Sequence, residues 1–124
     1  GHVPMNKIEA NVKEQLYVCK GAPFHTPGMK TTDIGGKYDY IASAIGSAQV
    51  AWYGASLIGG SIWQEYRERP TGEEVQASIL AHKIAAHTAD LAKGHPGAQV
   101  RDNALGKARK EGRMEDIYAL SFGW

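Results

Sequence analysis

Two histidines of this sequence stand where an imidazole could bind a metal ion. His2 precedes a Val-Pro turn that would hold its ring in place, and His25 follows the short apolar run at 22–24. Each lies at a predicted junction between a strand and a loop, and in parallel barrels the chemistry gathers at the carboxyl ends of the strands. A neutral imidazole nitrogen is a good ligand for zinc or a related divalent cation. The pattern is therefore compatible with a divalent metal site, with zinc as the expected ion.

The other histidines and the cysteine have structural interpretations. His82 and His87 are five residues apart, which places them about 140° apart around a helix, too far for shared ligation. His87 is expected as a hydrogen-bonded core residue, and His95 is expected in a turn. Cys19 falls on the apolar stripe of a predicted helix, where an inert buried thiol is expected.

Composition excludes several classes of partner. The 124 residues carry a net charge of +1, so no strong field favours nucleic acid or a membrane surface. The uncharged run at 41–63 is long enough to span a bilayer, but its serines and glycines favour a buried helix followed by a buried strand. The single cysteine forms no internal disulfide, which favours a reducing compartment and a cytoplasmic protein. One thiol is also too few for an iron–sulfur cluster.

Hydrophobic periodicity and capping signals predict the elements that would position these residues. Helices are expected at about 5–20, 39–53, 71–93, 98–110 and 113–121, and buried strands at 22–29 and 56–62. Asp39 is expected to cap the second helix, and Thr71 with Glu74 forms a capping box for the third. The expected inner faces are Ile8, Val12, Leu16 and Cys19 in the first helix, Ile41, Ile45, Ala48 and Trp52 in the second, and Leu80, Ile84, His87 and Leu91 in the third.

This order of elements predicts a fold class. Alternating helices and strands with short turns are typical of parallel α/β folds. Two strands alone do not form a stable parallel sheet, so the remaining strands are expected from outside this sequence.

Several exact motifs then point to one family. They are Gly-His-Val-Pro-Met at 1–5, Ala-Pro-Phe at 22–24, Thr-Thr-Asp-Ile at 31–34, Trp-Tyr-Gly at 52–54 and the long run at 81–109. Together they resemble the ThiC family of radical S-adenosylmethionine enzymes, from residue 1 to about 121 without gaps. The resemblance implies that residues 1–94 are the last strand–helix units of a (β/α)8 barrel. Residues 95–124 would begin a helical C-terminal domain as a helical hairpin, with the iron–sulfur tail absent and the fragment mostly helical.

The resemblance also implies an activity. Members of the family rearrange aminoimidazole ribonucleotide into the pyrimidine phosphate of thiamine. The full-length protein would be a radical SAM lyase and a homodimer that binds a [4Fe–4S] cluster and S-adenosylmethionine, and this chain alone would be inactive. Two alternatives stay open: a 5-hydroxybenzimidazole synthase of anaerobic cobamide lower-ligand biosynthesis, and a non-catalytic interaction or binding fragment.

Site residues follow by position in the family's motifs. His2 matches a metal ligand. His25 occupies the place of a substrate-binding Tyr, and Tyr66 occupies the place of the second metal-binding His. Tyr and His have thus exchanged places, so either His25 supplies the second imidazole or the metal site is altered. No residue of the sequence is assigned a catalytic role.

Overall fold

The computed structural model of the protein describes residues 2–60 and 69–123. Within them, helices and short strands alternate and are followed by two further helices. The elements are α1 (Met5–Val18), β1 (His25–Thr26), a 3₁₀ turn (Gly36–Tyr38), α2 (Asp39–Tyr53), β2 (Leu57–Ile58), α3 (Gly72–Ala92), α4 (Pro96–Glu111) and α5 (Met114–Leu120).

Helix α1 lies close to its predicted bounds and buries Ile8 and Val12. The prediction of a buried thiol is wrong, because Cys19 is exposed. The helix ends at Val18, and Lys20 then adopts a positive φ of 54°. Cys19 is the residue that follows the last turn of α1, and its thiol accepts a hydrogen bond from the exposed Gln15 amide at 3.1 Å instead of packing into the core.

The two strands pair in parallel, as the sequence predicts, with His25 opposite Leu57 and Thr26 opposite Ile58. They are much shorter than the predicted runs. The expectation that β2 is fully buried is wrong, because Leu57 is 63% exposed. The chain reaches β2 from α2 through Gly54, whose φ of 146° suits glycine.

The predicted inner face of α2 is wrong. Ile41, Ile45 and Trp52 are each about half exposed. The residues that α2 buries are mostly small: Asp39, Ala42, Ser43, Gly46, Ser47, Val50 and Ala51. The most extensive helix–helix contact is between α2 and α3, and small side chains let two helices approach closely. The small-residue face of α2 is therefore the one buried, with Ser43 against α3, Gly46 against the loop after β1 and Val50 in the core beside α1.

Helix α3 begins at the predicted capping box, but its buried stripe also differs from the prediction. The buried residues are again mostly small: Ser78, His82, Ala85 and Ala89. Ile84, predicted to be inside, is 55% exposed. The predicted stripe instead faces the C-terminal segment, where the His87 ring meets the Phe122 ring edge to face at 5.7 Å.

Helices α4 and α5 lie close to their predicted bounds. His95 is the N-cap of α4, and its Nδ1 accepts a hydrogen bond from the Ala98 N–H at 3.3 Å. Gly112 ends α4 in the left-handed conformation with φ 68°. The segment after α5 is fastened to α4, because the Arg101 guanidinium donates to the Leu120 carbonyl oxygen and lies 4.4 Å from the centre of the Phe122 ring.

The main apolar core lies between α1, α2 and the strands. Its buried centre is Ile8, Val12, Val50 and Ala55, with Val3, Leu16, Phe24, Met29, Tyr53 and Ile58 packed around it. The described chain is thus mostly helical with few strand residues, which is compatible with a fragment of an α/β fold. The closed barrel, the C-terminal helical hairpin and the domain boundary at residue 94 stay predictions. None of the helices described is long and apolar enough to cross a bilayer.

The capping box of α3 gives the first testable expectation. Thr71 Oγ1 accepts from the Glu74 N–H, and the Thr71 N–H donates to Glu74 Oε2 at 2.8 Å. Replacing Thr71 by Ala removes the acceptor and should lower the free energy of unfolding by about 1 kcal/mol. Thr88→Ala, at an exposed position inside the same helix, is the control and should change it by less than about 0.5 kcal/mol. Urea denaturation followed by circular dichroism measures both, and equal losses would contradict the capping role.

Candidate functional site

The loops after the two strands close over buried polar side chains of α2 and α3. A Cβ on Gly28 would lie 1.9 Å from Ser43 Oγ and 3.1 Å from His82 Nε2. A Cβ on Gly60 would lie 2.9 Å from Ser78 Oγ. We call these five residues the strand-end cluster. Only glycine lets both loops lie directly on the two helices, so the carboxyl ends of the strands are fixed to the helix pair.

His82 is the centre of the strand-end cluster. Its Nδ1–H donates to the Ser78 carbonyl oxygen at 2.7 Å, because a carbonyl can only accept. Nε2 then accepts from the Ser43 hydroxyl at 2.8 Å. Both ring nitrogens are engaged and His82 is buried, so this histidine joins α2 to α3. His87 lies on another side of α3 and donates from Nε2 to Asp102, in agreement with the spacing argument against shared ligation.

A second histidine, His2, is held by the loop that follows β1. Its Nδ1 lies 2.8 Å from Asp33 Oδ2. The hydrogen bond from His2 holds the pKa of the Asp33 carboxyl below its ordinary value, so the carboxylate is ionised at neutral pH and can only accept. The proton of a neutral His2 ring therefore lies on Nδ1, and the lone pair of Nε2 is left for another partner.

A buried ion pair supports the same loop. Lys30 Nζ lies 3.2 Å from Asp39 Oδ2, and both side chains are nearly buried, with exposed fractions of 11% and 6%. The same ammonium lies 3.9 Å from Asp33 Oδ1. Asp39 is the first residue of α2 and caps nothing with its side chain, so the predicted capping role is wrong. Its carboxylate instead anchors Lys30 between two acids.

His25 occupies a different place from the one the sequence predicts. It is the first residue of β1 rather than the residue after its end, and its side chain extends to the end of β2, where a Cβ on Gly59 would lie 3.1 Å from Nε2. No hydrogen bond joins the His2 and His25 rings in the part of the chain that the structure describes. Tyr66, at the position of the family's second metal ligand, lies outside the described residues.

The fit of these residues to a metal ion rests on His2. An imidazole that donates from one nitrogen to a carboxylate and presents the other is the usual arrangement of a metal-binding histidine. In residues 2–60 and 69–123, no group of three or more His, Cys, Asp or Glu side chains lies close enough together to hold an ion. The described chain thus offers one well-prepared ligand rather than a complete coordination shell.

Two open clefts border the site and the C-terminal segment. The first, of about 390 Å³, lies between β2 and α3 and is bordered by Leu57, His82, Lys83 and Lys93. The second, of about 410 Å³, lies between α3, α4 and Phe122. The first cleft lies beside the strand-end cluster, and its wall carries Lys83 together with the exposed pair of Lys93 and Asp90.

Sequence reasoning missed Asp33, the Lys30–Asp39 pair and the polar contacts of His82. Asp33 was part of a motif that matched the family but had no role, and it lies 31 residues from its partner. For His82 the sequence held no specific signal, since its first partner is the backbone carbonyl of Ser78, which any residue could supply, and its second, Ser43, lies 39 residues away on another helix. The spacing of His82 and His87 argues against shared ligation, but it does not indicate what a single buried histidine bonds.

The comparison with known families agrees with the sequence motifs. A family model described as the radical SAM ThiC family matches residues 1–123. The match covers nearly the whole sequence and includes His2, Asp33 and the strand-end cluster. The chain therefore belongs to the radical SAM ThiC family.

Proposed function

We propose that this chain supplies one metal ligand and part of the substrate-side surface of a ThiC enzyme that rearranges aminoimidazole ribonucleotide into the pyrimidine phosphate of thiamine. At the level of the family, membership implies the biosynthesis of the thiamine pyrimidine from a small-molecule substrate, with S-adenosylmethionine and an iron–sulfur cluster. The observation that carries the finer proposal is the contact of His2 with Asp33, at a position that matches the family's metal ligand.

The roles of this chain's residues follow from their chemistry. His2 Nε2 would hold a divalent ion, with zinc as the expected one because neutral imidazole suits it. The bound ion would polarise an oxygen or nitrogen of the substrate as a Lewis acid. His25, on β1, would contact the substrate in place of the family's Tyr. Its imidazole can donate and accept hydrogen bonds, so the exchange changes the chemistry at this position without removing its polarity.

The iron–sulfur cluster does not fit the residues of this chain. A [4Fe–4S] cluster is held by several thiolates, and the sequence has only Cys19, which is exposed after the end of α1. In the proposal, the cluster and S-adenosylmethionine are therefore bound by residues outside this sequence, and this chain contributes only to the metal and substrate sides.

A second candidate is the 5-hydroxybenzimidazole synthase, which would use the same substrate. The observation that favours it is the exchange at positions 25 and 66, since residues altered at substrate and metal positions are expected where the product changes. Incubating the intact protein that includes this chain with aminoimidazole ribonucleotide, S-adenosylmethionine and a reductant under anaerobic conditions separates the two. Mass spectrometry of the products would show the thiamine pyrimidine phosphate for the first candidate and hydroxybenzimidazole for the second. The third interpretation, a non-catalytic interaction fragment, requires that neither product forms.

The metal assignment is tested by replacing its ligand. In the intact protein, His2→Ala should lower bound zinc, measured by inductively coupled plasma mass spectrometry, from about one ion per chain to less than about a tenth of that, because one of few protein ligands is lost. His95→Asn is the matched control, since it removes an exposed histidine and leaves a residue that can cap α4. Full zinc content in the His2 variant would overturn the assignment.

A further inference from the structure

We propose that Asp33 is a positioning residue for the metal site: its carboxylate fixes His2 as the Nδ1–H tautomer and so leaves Nε2 unprotonated, as a metal ligand must be. The inference rests on the proposed function of His2 as a ligand. It adds a residue, a contact and a mechanism that neither the motif nor the family match assigns.

The first support is that His2 is attached to the same loop at two points. The side chain donates from Nδ1 to Asp33 Oδ2 at 2.8 Å. The backbone N–H of the next residue, Val3, donates to the Lys30 carbonyl oxygen at 2.9 Å. One contact restricts the rotation of the ring and the other places the backbone from which the ring extends. The ring contact and the neighbouring backbone contact together restrict the orientations that this exposed imidazole can adopt before a metal arrives.

The second support is that each oxygen of Asp33 has its own partner. Oδ2 faces the His2 ring, and Oδ1 lies 3.9 Å from Lys30 Nζ. Lys30 is fixed in turn by the nearly buried Asp39 at the start of α2. The chain of contacts runs from α2 through a buried cation to the carboxylate and then to the imidazole. Asp33 is therefore oriented by the body of the fold and is not a freely rotating surface acid.

The competing interpretation is an ordinary surface ion pair. The His2 and Asp33 side chains are 42% and 54% exposed, and pairs of that kind contribute little to stability. The two interpretations differ in what Asp33 controls. A surface pair that forms only part of the time would shift the tautomer balance of His2 slightly and would change the metal affinity only through a small charge effect. A positioning residue controls both, and losing the carboxylate partner of a ligating histidine typically weakens metal binding by about 10–100-fold.

The tautomer is measured without any metal. Ring nitrogens of the intact protein labelled with [¹⁵N]histidine are observed by long-range proton–nitrogen NMR, with the His2 signals assigned from their loss in His2→Gln. In the wild type, the His2 signals should show a protonated Nδ1 and an unprotonated Nε2. In Asp33→Ala this preference should disappear, while in Asp90→Ala, which removes an exposed acid paired with Lys93 on α3, it should persist. An unchanged His2 tautomer in Asp33→Ala would overturn the inference.

Zinc affinity is measured by competition with a chromogenic chelator. Asp33→Ala should weaken zinc binding by about 10–100-fold, and Asp33→Asn, which keeps an acceptor oxygen for Nδ1–H, should recover part of that loss. Asp90→Ala should bind zinc as the wild type does. An amide NMR spectrum that matches the wild type confirms that each variant is folded.

His2→Ala separates the proposal that His2 is a metal ligand from the proposal that Asp33 positions it. If His2→Ala keeps its zinc, the ligand assignment fails, whereas the tautomer result still reports on Asp33. If His2→Ala loses zinc but Asp33→Ala binds it within about twofold of the wild type, the ligand assignment stands and the positioning role is overturned. Adding Asp33→Ala to His2→Ala should cause no further loss, because the carboxylate acts through the ring.

Discussion

Among the glycines that the structure describes, Gly46 should tolerate alanine least, and Gly46→Ala should lower the free energy of unfolding by about 3 kcal/mol or more. A Cβ on Gly46 would lie 1.7 Å from the Met29 carbonyl oxygen and 2.9 Å from its carbonyl carbon. Those atoms belong to backbone and cannot rotate away, so the loop after β1 must move as a unit. Overpacking of a close-packed site costs about 1–3 kcal/mol and occasionally more, and this clash is at the severe end.

Gly106→Ala is the matched control for this prediction. Gly106 also lies inside a helix, α4, but a Cβ there meets no atom of the described residues within 4 Å. The same substitution should therefore raise the free energy of unfolding by about 0.5–1 kcal/mol, the usual gain when Ala replaces Gly in a helix. Urea denaturation monitored by circular dichroism measures both. If the two variants change stability in the same direction, the close contact of α2 with the loop is wrong.

Asp39→Ala should produce the second large effect. It should lower the free energy of unfolding by about 3–5 kcal/mol, because the nearly buried ammonium of Lys30 loses the carboxylate 3.2 Å away. The Asp39 and Lys30 side chains are 6% and 11% exposed, so water cannot replace the lost partner. Asp33, the other acid described beside Lys30, is more distant at 3.9 Å. The loop after β1, which carries both Lys30 and Asp33, should become less rigid. Thermal and urea denaturation should both show the loss of stability.

Two comparisons make this prediction specific to the buried pair. Adding Lys30→Met to Asp39→Ala should restore most of the lost stability, since replacing both members of a buried ion pair by apolar groups is often close to neutral. Asp90→Ala, which breaks an exposed pair with Lys93 at 3.9 Å, should cost less than about 0.5 kcal/mol. A double variant as unstable as Asp39→Ala alone would show that the charge of Lys30 is not the cause.

The sequence predicts where the helices lie better than which sides they bury. The capping box at Thr71 and the glycine after α2 are local signals, and the structure follows them. Hydrophobicity alone predicts that α2 buries Ile41 and Ile45. The helix instead buries small residues such as Ser43 and Gly46. Burial there depends on how closely another helix approaches, and that distance is a property of the pair of helices. No periodicity within α2 alone contains this information.

In the candidate site, too, some residues could be predicted from local sequence and others could not. His2 could be found because its ligand role follows from a short local motif. Its partner Asp33 could not, because a contact between residues 31 positions apart depends on how the loop after β1 folds back onto the N-terminal segment. The exchange of His and Tyr at positions 25 and 66 is visible in the sequence, whereas the place of the His25 ring beside Gly59 required the structure.

The close contact between α2 and α3 has a consequence for how the site can change during evolution. The loop after β1 rests on α2 at Gly46, and the end of β2 rests on α3 at Ser78. Because β1 and β2 are hydrogen-bonded to each other, and the Gly59 N–H also donates to the Thr26 carbonyl oxygen at 2.9 Å, these contacts give the strand pair and the helix pair one common spacing. A methyl added to the layer of small residues between them would have to move helices and strands together. In relatives of this chain, a larger side chain at one position of this layer should therefore be accompanied by a smaller one at the position that faces it.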